Sequence, residues 1–192
     1  MATEAKWDAI HSQSSSDQVA AEVLSTNCFL LPTQGSALDL ACGKGGNALL
    51  LAEKGLRVQA WDISTVALEK LSTKAGADGL AIETRQCNIT ADSLVNLSFD
   101  VIVVSRFLDR TLCNAIMAAL KPGGLLFYQT FTRNKLEQQG PSNPDYLLAH
   151  NELLRLFSPL SVIFYQEYPP IGDVRSGNRN EACFIGQTLS GK

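Results

Sequence analysis

A chain of 192 residues, 45% hydrophobic and 18% charged, is long enough to bury one full core and short for two. Its net charge of −3 provides no global positive field to gather it onto nucleic acid, so bulk RNA or DNA binding is disfavoured. The five cysteines, at 28, 42, 87, 113 and 183, form no paired C-x-x-C set, which argues against zinc, any other metal centre and a disulfide framework.

The N-terminus is polar, without a positively charged start ahead of an apolar core, and no apolar run reaches bilayer length, so the expectation is a cytoplasmic protein. Residues 1–16 read as irregular, punctuated by Ser14, Ser15 and Ser16, with Asp17 a candidate N-cap for a helical segment over Val19 to Leu24. Trp7 and His11 in this arm read either as a lid over a ligand or as part of a surface helix. Pro32 and Gly35 close the segment before a short buried strand, Ala37 to Ala41.

That strand breaks at Gly43-Lys44-Gly45-Gly46, and an amphipathic helix carrying Leu49, Leu50 and Ala52 leads to Gly55. A second apolar strand, Arg57 to Trp61, ends on Asp62, and Ser64 caps a helix to about Ala75 whose inner face is Val66, Ala67, Leu68 and Leu71. A third strand is expected over Leu80 to Arg85, then a loop at Cys87 to Thr90. Phe99 to Val104 is apolar on both faces, as a central parallel strand must be. A helix from Thr111 to Leu120 stops at Lys121-Pro122-Gly123-Gly124, which delivers a fifth strand, Leu125 to Thr130.

The polar stretch Thr132 to Asp145 is long for a plain connection and reads as a binding loop or lid. A helix over Tyr146 to Phe157 follows. Two apolar runs, Ser161 to Tyr168 and Glu181 to Thr188, are expected to pair as an antiparallel hairpin. The alternation predicts an α/β fold: a doubly wound, mostly parallel seven-stranded sheet closed by that hairpin. The expected layout is one domain, with residues 1–34 a helical or lid segment, 35–130 a cofactor-binding core, and 131–192 a substrate-side loop, helix and hairpin.

Ligands of such sheets lie beyond the carboxyl ends of the strands. Gly43 and Gly45 remove side chains that would block close approach, and the helix after them presents free N–H groups to a phosphate or carboxylate. Asp62 ends the second strand where an acceptor would receive both hydroxyls of a ribose. Gly43-x-Gly45-x-x-Ala48 with an acid some 20 residues on satisfies the dinucleotide fingerprint, so an NAD(P)-dependent oxidoreductase is one reading. Three features favour S-adenosylmethionine instead. Asp39 inside the first strand is placed to meet an amino group, Asn88 to bond an adenine edge, and no second domain remains for a hydride acceptor. A cofactor-binding protein without catalysis is the third reading.

The successive stretches Asp39-Leu-Ala-Cys-Gly43-Lys-Gly45-Gly46-Asn47, Asp62-Ile-Ser, Asn88-Ile-Thr, Phe99 to Ser105 and Leu120-Lys-Pro-Gly-Gly124 resemble, in order and spacing, the motifs of class I S-adenosylmethionine-dependent methyltransferases over residues 37–130. The subgroup it looks most like is the small bacterial type related to the tellurite-resistance methyltransferases. Thr130-Phe131-Thr132, the Gly140 to Asp145 loop and Glu152-Leu-Leu154 resemble elements of an uncharacterised branch of that type. Ala41 stands where the family usually has glycine, Asn88 where Asp is commoner, and Gly46 where the tellurite type has Arg.

The resemblance implies a Rossmann-like fold and S-adenosyl-L-methionine as cofactor, with S-adenosyl-L-homocysteine as product. It implies contacts from Asp39, Ala41, Gly43, Gly45, Asp62, Ile63, Asn88, Ile89 and Ser105. The acceptor would be a small molecule meeting Arg106, Asp109, Arg110 or Arg133; Asp109 and Arg110 read equally as charges opening the next helix. His150 reads as a solvated helix residue, and no catalytic base is identified.

Overall fold

A computed structural model of the protein describes residues 4–13 and 19–189. Its centre is one seven-stranded sheet in the order β3-β2-β1-β4-β5-β7-β6. The strands are β1 (Ser36–Leu40), β2 (Arg57–Asp62), β3 (Ile82–Gln86), β4 (Phe99–Ser105), β5 (Leu120–Phe131), β6 (Ser161–Gln166) and β7 (Glu181–Gln187). β1 to β5 run parallel, and β7 inserts antiparallel between β5 and β6. The carboxyl ends of β1, β2, β3, β4 and β5 therefore share one edge of the sheet. The order reverses at β1, where β2 lies on one side and β4 on the other, the place where sheets of this kind take their ligands.

Side chains alternate across the central strands, and each face carries its own core. Leu38, Leu40, Ile102, Val104, Leu126, Tyr128 and Phe184 pack beneath α5 (Cys113–Ala118) and α6 (Glu152–Leu156). Ala37, Val101, Val103, Phe127, Cys183 and Ile185 pack beneath α2 (Glu22–Ser25), α3 (Gly46–Glu53) and α4 (Thr65–Asp78).

Five local expectations need correction. Residues 4–13, read as irregular, form a helix, α1 (Glu4–Gln13), which buries no side chain and so carries no apolar stripe to read. Ser14 to Ser16 and Asp17 lie outside the described residues. The segment expected to be helical over Val19 to Leu24 forms one turn, α2, and Gln129 Oε1, not a neighbouring cap, accepts from the Val23 amide at 2.8 Å. The helix expected over Thr111 to Leu120 shortens to α5 behind a 3-10 turn at Arg110–Leu112.

Leu120 belongs to β5, because it pairs with Phe99 across an irregularity in the β4 register. A Cβ at Gly124 would stand 2.9 Å from the Lys121 carbonyl oxygen, so the bend behind Pro122 needs the bare backbone. The helix expected over Tyr146 to Phe157 is confined to α6. Ahead of it the Asp145 and Leu147 carbonyls are taken by Arg110, and Leu148 exchanges backbone hydrogen bonds with Phe131 and Arg133. Ser64 caps α4 as expected, accepting from the Ala67 amide.

Candidate functional site

Between β1 and α3 the backbone enters the left-handed region three times, at Ala41 (φ 57°), Gly43 (φ 52°) and Gly45 (φ 80°). A side chain at Gly45 is excluded, since its Cβ would lie 2.4 Å from Leu71 Cδ1. Two carboxylates hold this bend from opposite sides. Asp62 at the tip of β2 accepts from the Gly43 amide at 2.7 Å and from the Ser64 amide at 2.8 Å. Asp39 in β1 accepts from the Ala48 amide at 3.0 Å and from Asn47 Nδ2 at 3.2 Å. Asp39 is 0% exposed, and burial pushes its carboxyl up to about 7 against the opposing effect of those hydrogen bonds.

Asn47 extends the support outward. Its amide nitrogen also donates to Ser105 Oγ at the end of β4, and its oxygen accepts from the Ala21 amide ahead of α2. Asp39, the glycine bend, Asp62 and Ser105 are thus one bonded unit. Ala41 lies within its bend, and Ile63 follows Asp62. The Cys87 amide donates to the Asp62 carbonyl, which sets Asn88 and Ile89 beside the same tip, with Asn88 exposed and Ile89 half-buried.

α1 lies against the glycine bend and the start of α4. Asp8 Oδ1 accepts from Ser64 Oγ at 2.6 Å and from the Val66 amide at 3.3 Å, so it caps the start of α4 from another element. Glu4 Oε1 accepts from Thr65 Oγ1 and Gln86 Nε2, and Lys70 Nζ donates to the His11 carbonyl. The His11 ring lies against Gly43, 3.3 Å from where a Cβ would stand, and stacks with Trp7 at 6.0 Å between centroids. Burial lowers the His11 pKa, opposed first by Asp62 and reinforced by Lys44. Trp7 and His11 both lie on α1, a helix with no fully buried side chain.

Past the end of β4 the four acceptor candidates separate. Arg106 (φ 54°) donates through Nε to Glu181 Oε1 at 2.9 Å and leaves its side chain 65% exposed. Asp109 accepts from the Thr111 amide and hydroxyl, capping the 3-10 turn. Arg110 makes four hydrogen bonds, two to Glu152 and one each to the Asp145 and Leu147 carbonyls. It ties the 3-10 turn ahead of α5 to the start of α6 and the loop before it. Arg133 is exposed on the loop after β5, near enough to help hold the Glu152 carboxyl below its usual range.

Sequence reasoning missed Gln129, Glu181 and Asn47. All three are buried polar side chains at the carboxyl edge. The signal was a Gln near the end of an apolar strand and a Glu opening another, both positions that a sheet buries on each face. Among the described residues no group of three or more His, Cys, Asp or Glu could hold a metal, and no helix is long and apolar enough to cross a membrane.

Residues 37–124, from the start of β1 into β5, match the family model described as a methyltransferase domain. That stretch, a little under half of the chain, is similar to the methyltransferase domains of that family. The ubiquinone biosynthesis O-methyltransferase of Idiomarina loihiensis is 32% identical to this chain over 105 residues, 50% of this chain and 42% of that protein. The chain spans less than half the length of the curated relatives it matches. In fold, the chain is similar to TehB from Haemophilus influenzae, at a TM-score of 0.71 and 20% identity over 94% of this chain and 66% of that one. It is similar too to an S-adenosylmethionine-dependent methyltransferase from Clostridium acetobutylicum, at a TM-score of 0.68 and 15% identity over 95% of each chain. The family match favours the methyltransferase reading of Gly43-x-Gly45-x-x-Ala48 over the dinucleotide one.

Proposed function

We propose that this protein transfers a methyl group from S-adenosylmethionine to a small-molecule acceptor by in-line displacement. The observation that carries the reading is the hydrogen bond from the Gly43 amide to Asp62 Oδ2, which brings a bare backbone bend and a strand-end carboxylate together beside Asn88. The residues fit the cofactor: the bend has no side chain at Gly43 or Gly45, and each Asp62 oxygen keeps a lone pair beyond its backbone bond.

In this reading the Gly43 and Gly45 backbone and the start of α3 receive the carboxylate of the amino-acid end. Asp62 receives the ribose hydroxyls, Ile63 and Ile89 flank the adenine, and Asn88 bonds its edge. Asp39 and Ser105 act through Asn47 by holding the bend in shape, with the Ala41 backbone as the contact to the amino group. When bound, the cofactor supplies a methyl group on an activated sulfonium leaving group. The protein's own task is then positioning: β4 and β5 hold an acceptor in line and α1 excludes water, which can supply most of the acceleration. The O-methyltransferase named among the relatives supports a small-molecule acceptor.

The test is calorimetry with S-adenosylhomocysteine and with NAD, followed by labelled methyl transfer to a panel of phenols, carboxylates and amines. Saturable binding of S-adenosylhomocysteine with transfer to at least one acceptor is expected. A preference for NAD would overturn the cofactor, and binding without transfer to any class would overturn the catalysis.

A further inference from the structure

The arginines at the carboxyl edge differ in what they spend. Arg110 is consumed by Glu152 and two carbonyls, and Arg179 by the carbonyls of Pro169, Ile171, Asp173 and Ser176. Both fasten loops. Arg106 spends only Nε, on Glu181, and its Nη1 and Nη2 have no partner among the described residues.

Its anchor is expensive. Glu181 opens β7 with 5% of its side chain exposed, and its second oxygen accepts from Gln129 Nε2 at 2.5 Å and Asn178 Nδ2 at 3.2 Å. Removing a carboxylate from water is repaid only by close pairing, and an apolar pair would join β5 to β7 as well. Gln129 is buried and fixed at its other end by the Val23 amide. The Arg106 backbone is held as tightly, since its amide donates to the Gln129 carbonyl at 2.7 Å and its φ of 54° is strained for a residue with a side chain. A buried network and a strained backbone therefore fix a guanidinium whose working edge faces solvent. With Nε taken, that edge is the Nη1/Nη2 fork, whose two parallel N–H groups match the spacing of a carboxylate. Ser105, the residue before it, is bonded to Asn47 in the unit that shapes the glycine bend.

We infer that Arg106, positioned by Glu181 and Gln129, is the recognition point for a carboxylate on the methyl acceptor. The inference rests on the methyltransferase reading for the acceptor's role, but the anion site itself is measurable without it. Glu181 is a positioning residue, touching the ligand only through Arg106.

The experiment titrates the protein, with and without S-adenosylhomocysteine, against benzoate and the uncharged isostere benzamide, following the Arg106 Nε–H resonance. Benzoate is expected to shift that resonance saturably and benzamide to leave it in place. Arg106→Lys, which keeps charge but loses the fork, should weaken benzoate by roughly tenfold. Glu181→Gln should move the free Nε–H resonance and reduce the benzoate-to-benzamide ratio while S-adenosylhomocysteine affinity holds. Should that variant fail to fold, the exposed Arg106→Lys change alone decides. Equal response to benzoate and benzamide, or unaltered benzoate binding by Arg106→Lys, overturns the site. Benzoate discrimination in a protein that does not bind S-adenosylhomocysteine would leave the anion site standing and remove the methyltransferase reading.

Discussion

The Gly43 amide donates to Asp62 Oδ2 at 2.7 Å, so the bend after β1 and the tip of β2 are one piece. Asp62 also accepts from Ser64 at the start of α4. One carboxylate therefore shapes the two chain segments that border the proposed ribose position. Asp62→Ala leaves two amides without their acceptor and is expected to weaken S-adenosylhomocysteine by about 1–3 kcal/mol in calorimetry. Asp62→Asn keeps one acceptor and should fall between. Wild-type affinity in Asp62→Ala would take this carboxylate out of the cofactor site.

Ala41 holds φ 57° at a place where a side chain meets its own carbonyl. That strain costs about 1–2 kcal/mol, and glycine would relieve it at an entropic cost of about 0.4–1 kcal/mol. Ala41→Gly is expected to raise the urea midpoint by an amount equivalent to up to about 1 kcal/mol. A lowered midpoint would mean that the methyl group packs usefully in this bend.

Asp39 gives a pH dependence with a definite sign. Its carboxyl is raised to about 7 from an ordinary 3.8, so between these values the folded chain holds a proton the unfolded chain has lost. Stability from this group is full below about 4, declines as pH rises, and levels off above about 7. Asp39→Asn is expected to flatten that decline when melting temperatures are compared from pH 4.5 to 8. It should also lower stability throughout by about 1–3 kcal/mol, because an amide N–H would confront the Ala48 or Asn47 donor. Parallel pH curves for the two proteins would show that Asp39 titrates normally.

The strands and the glycine bend were legible because each is a short-range pattern: apolar runs of strand length, a Gly-Lys-Gly-Gly break, an acid at a strand end. The hairpin was legible for the same reason. What escaped depends on partners far along the chain. α1 is held by Asp8 and Glu4 on α4 and β3, some 56 to 82 residues away, and buries no side chain fully. Arg110 reads as a helix-opening charge until Glu152, 42 residues on, comes to meet it. Gln129 and Glu181, 52 residues apart, look like polar interruptions until β5 and β7 lie side by side. Periodicity reports how a segment faces its core and carries nothing about which distant side chain completes it.

Arg110 is a structural clamp, and its removal should show as lost stability. The Arg110→Ala variant leaves Glu152 beside the Ala149 amide without its cation and frees the Asp145 and Leu147 carbonyls. A loss of about 1–3 kcal/mol is expected in denaturant unfolding, with amide exchange of residues 140–152 accelerated. S-adenosylhomocysteine affinity should stay near wild type. Weakened methyl transfer to an acceptor at unchanged stability would return Arg110 to the acceptor site.

His11 couples α1 to pH. Its ring lies among Asp62, Lys44, Lys70 and Asp8, and burial holds its pKa below the usual 6.5. A histidine depressed in the docked state stabilises docking fully above 6.5, and that contribution is lost as pH falls through the depressed value. α1 has no buried side chain to hold it otherwise. Amide exchange over residues 4–13, corrected for its intrinsic pH dependence, should therefore show protection at pH 7.5 that diminishes toward pH 5.5. His11→Gln should remove most of that change, while Asp8→Ala, which loses the Ser64 and Val66 bonds, should lower protection at both pH values. Protection that is level across this range in the wild type would mean that the imidazole keeps its proton equilibrium on release, and that polar contacts through Asp8, Glu4 and Lys70 hold α1 alone.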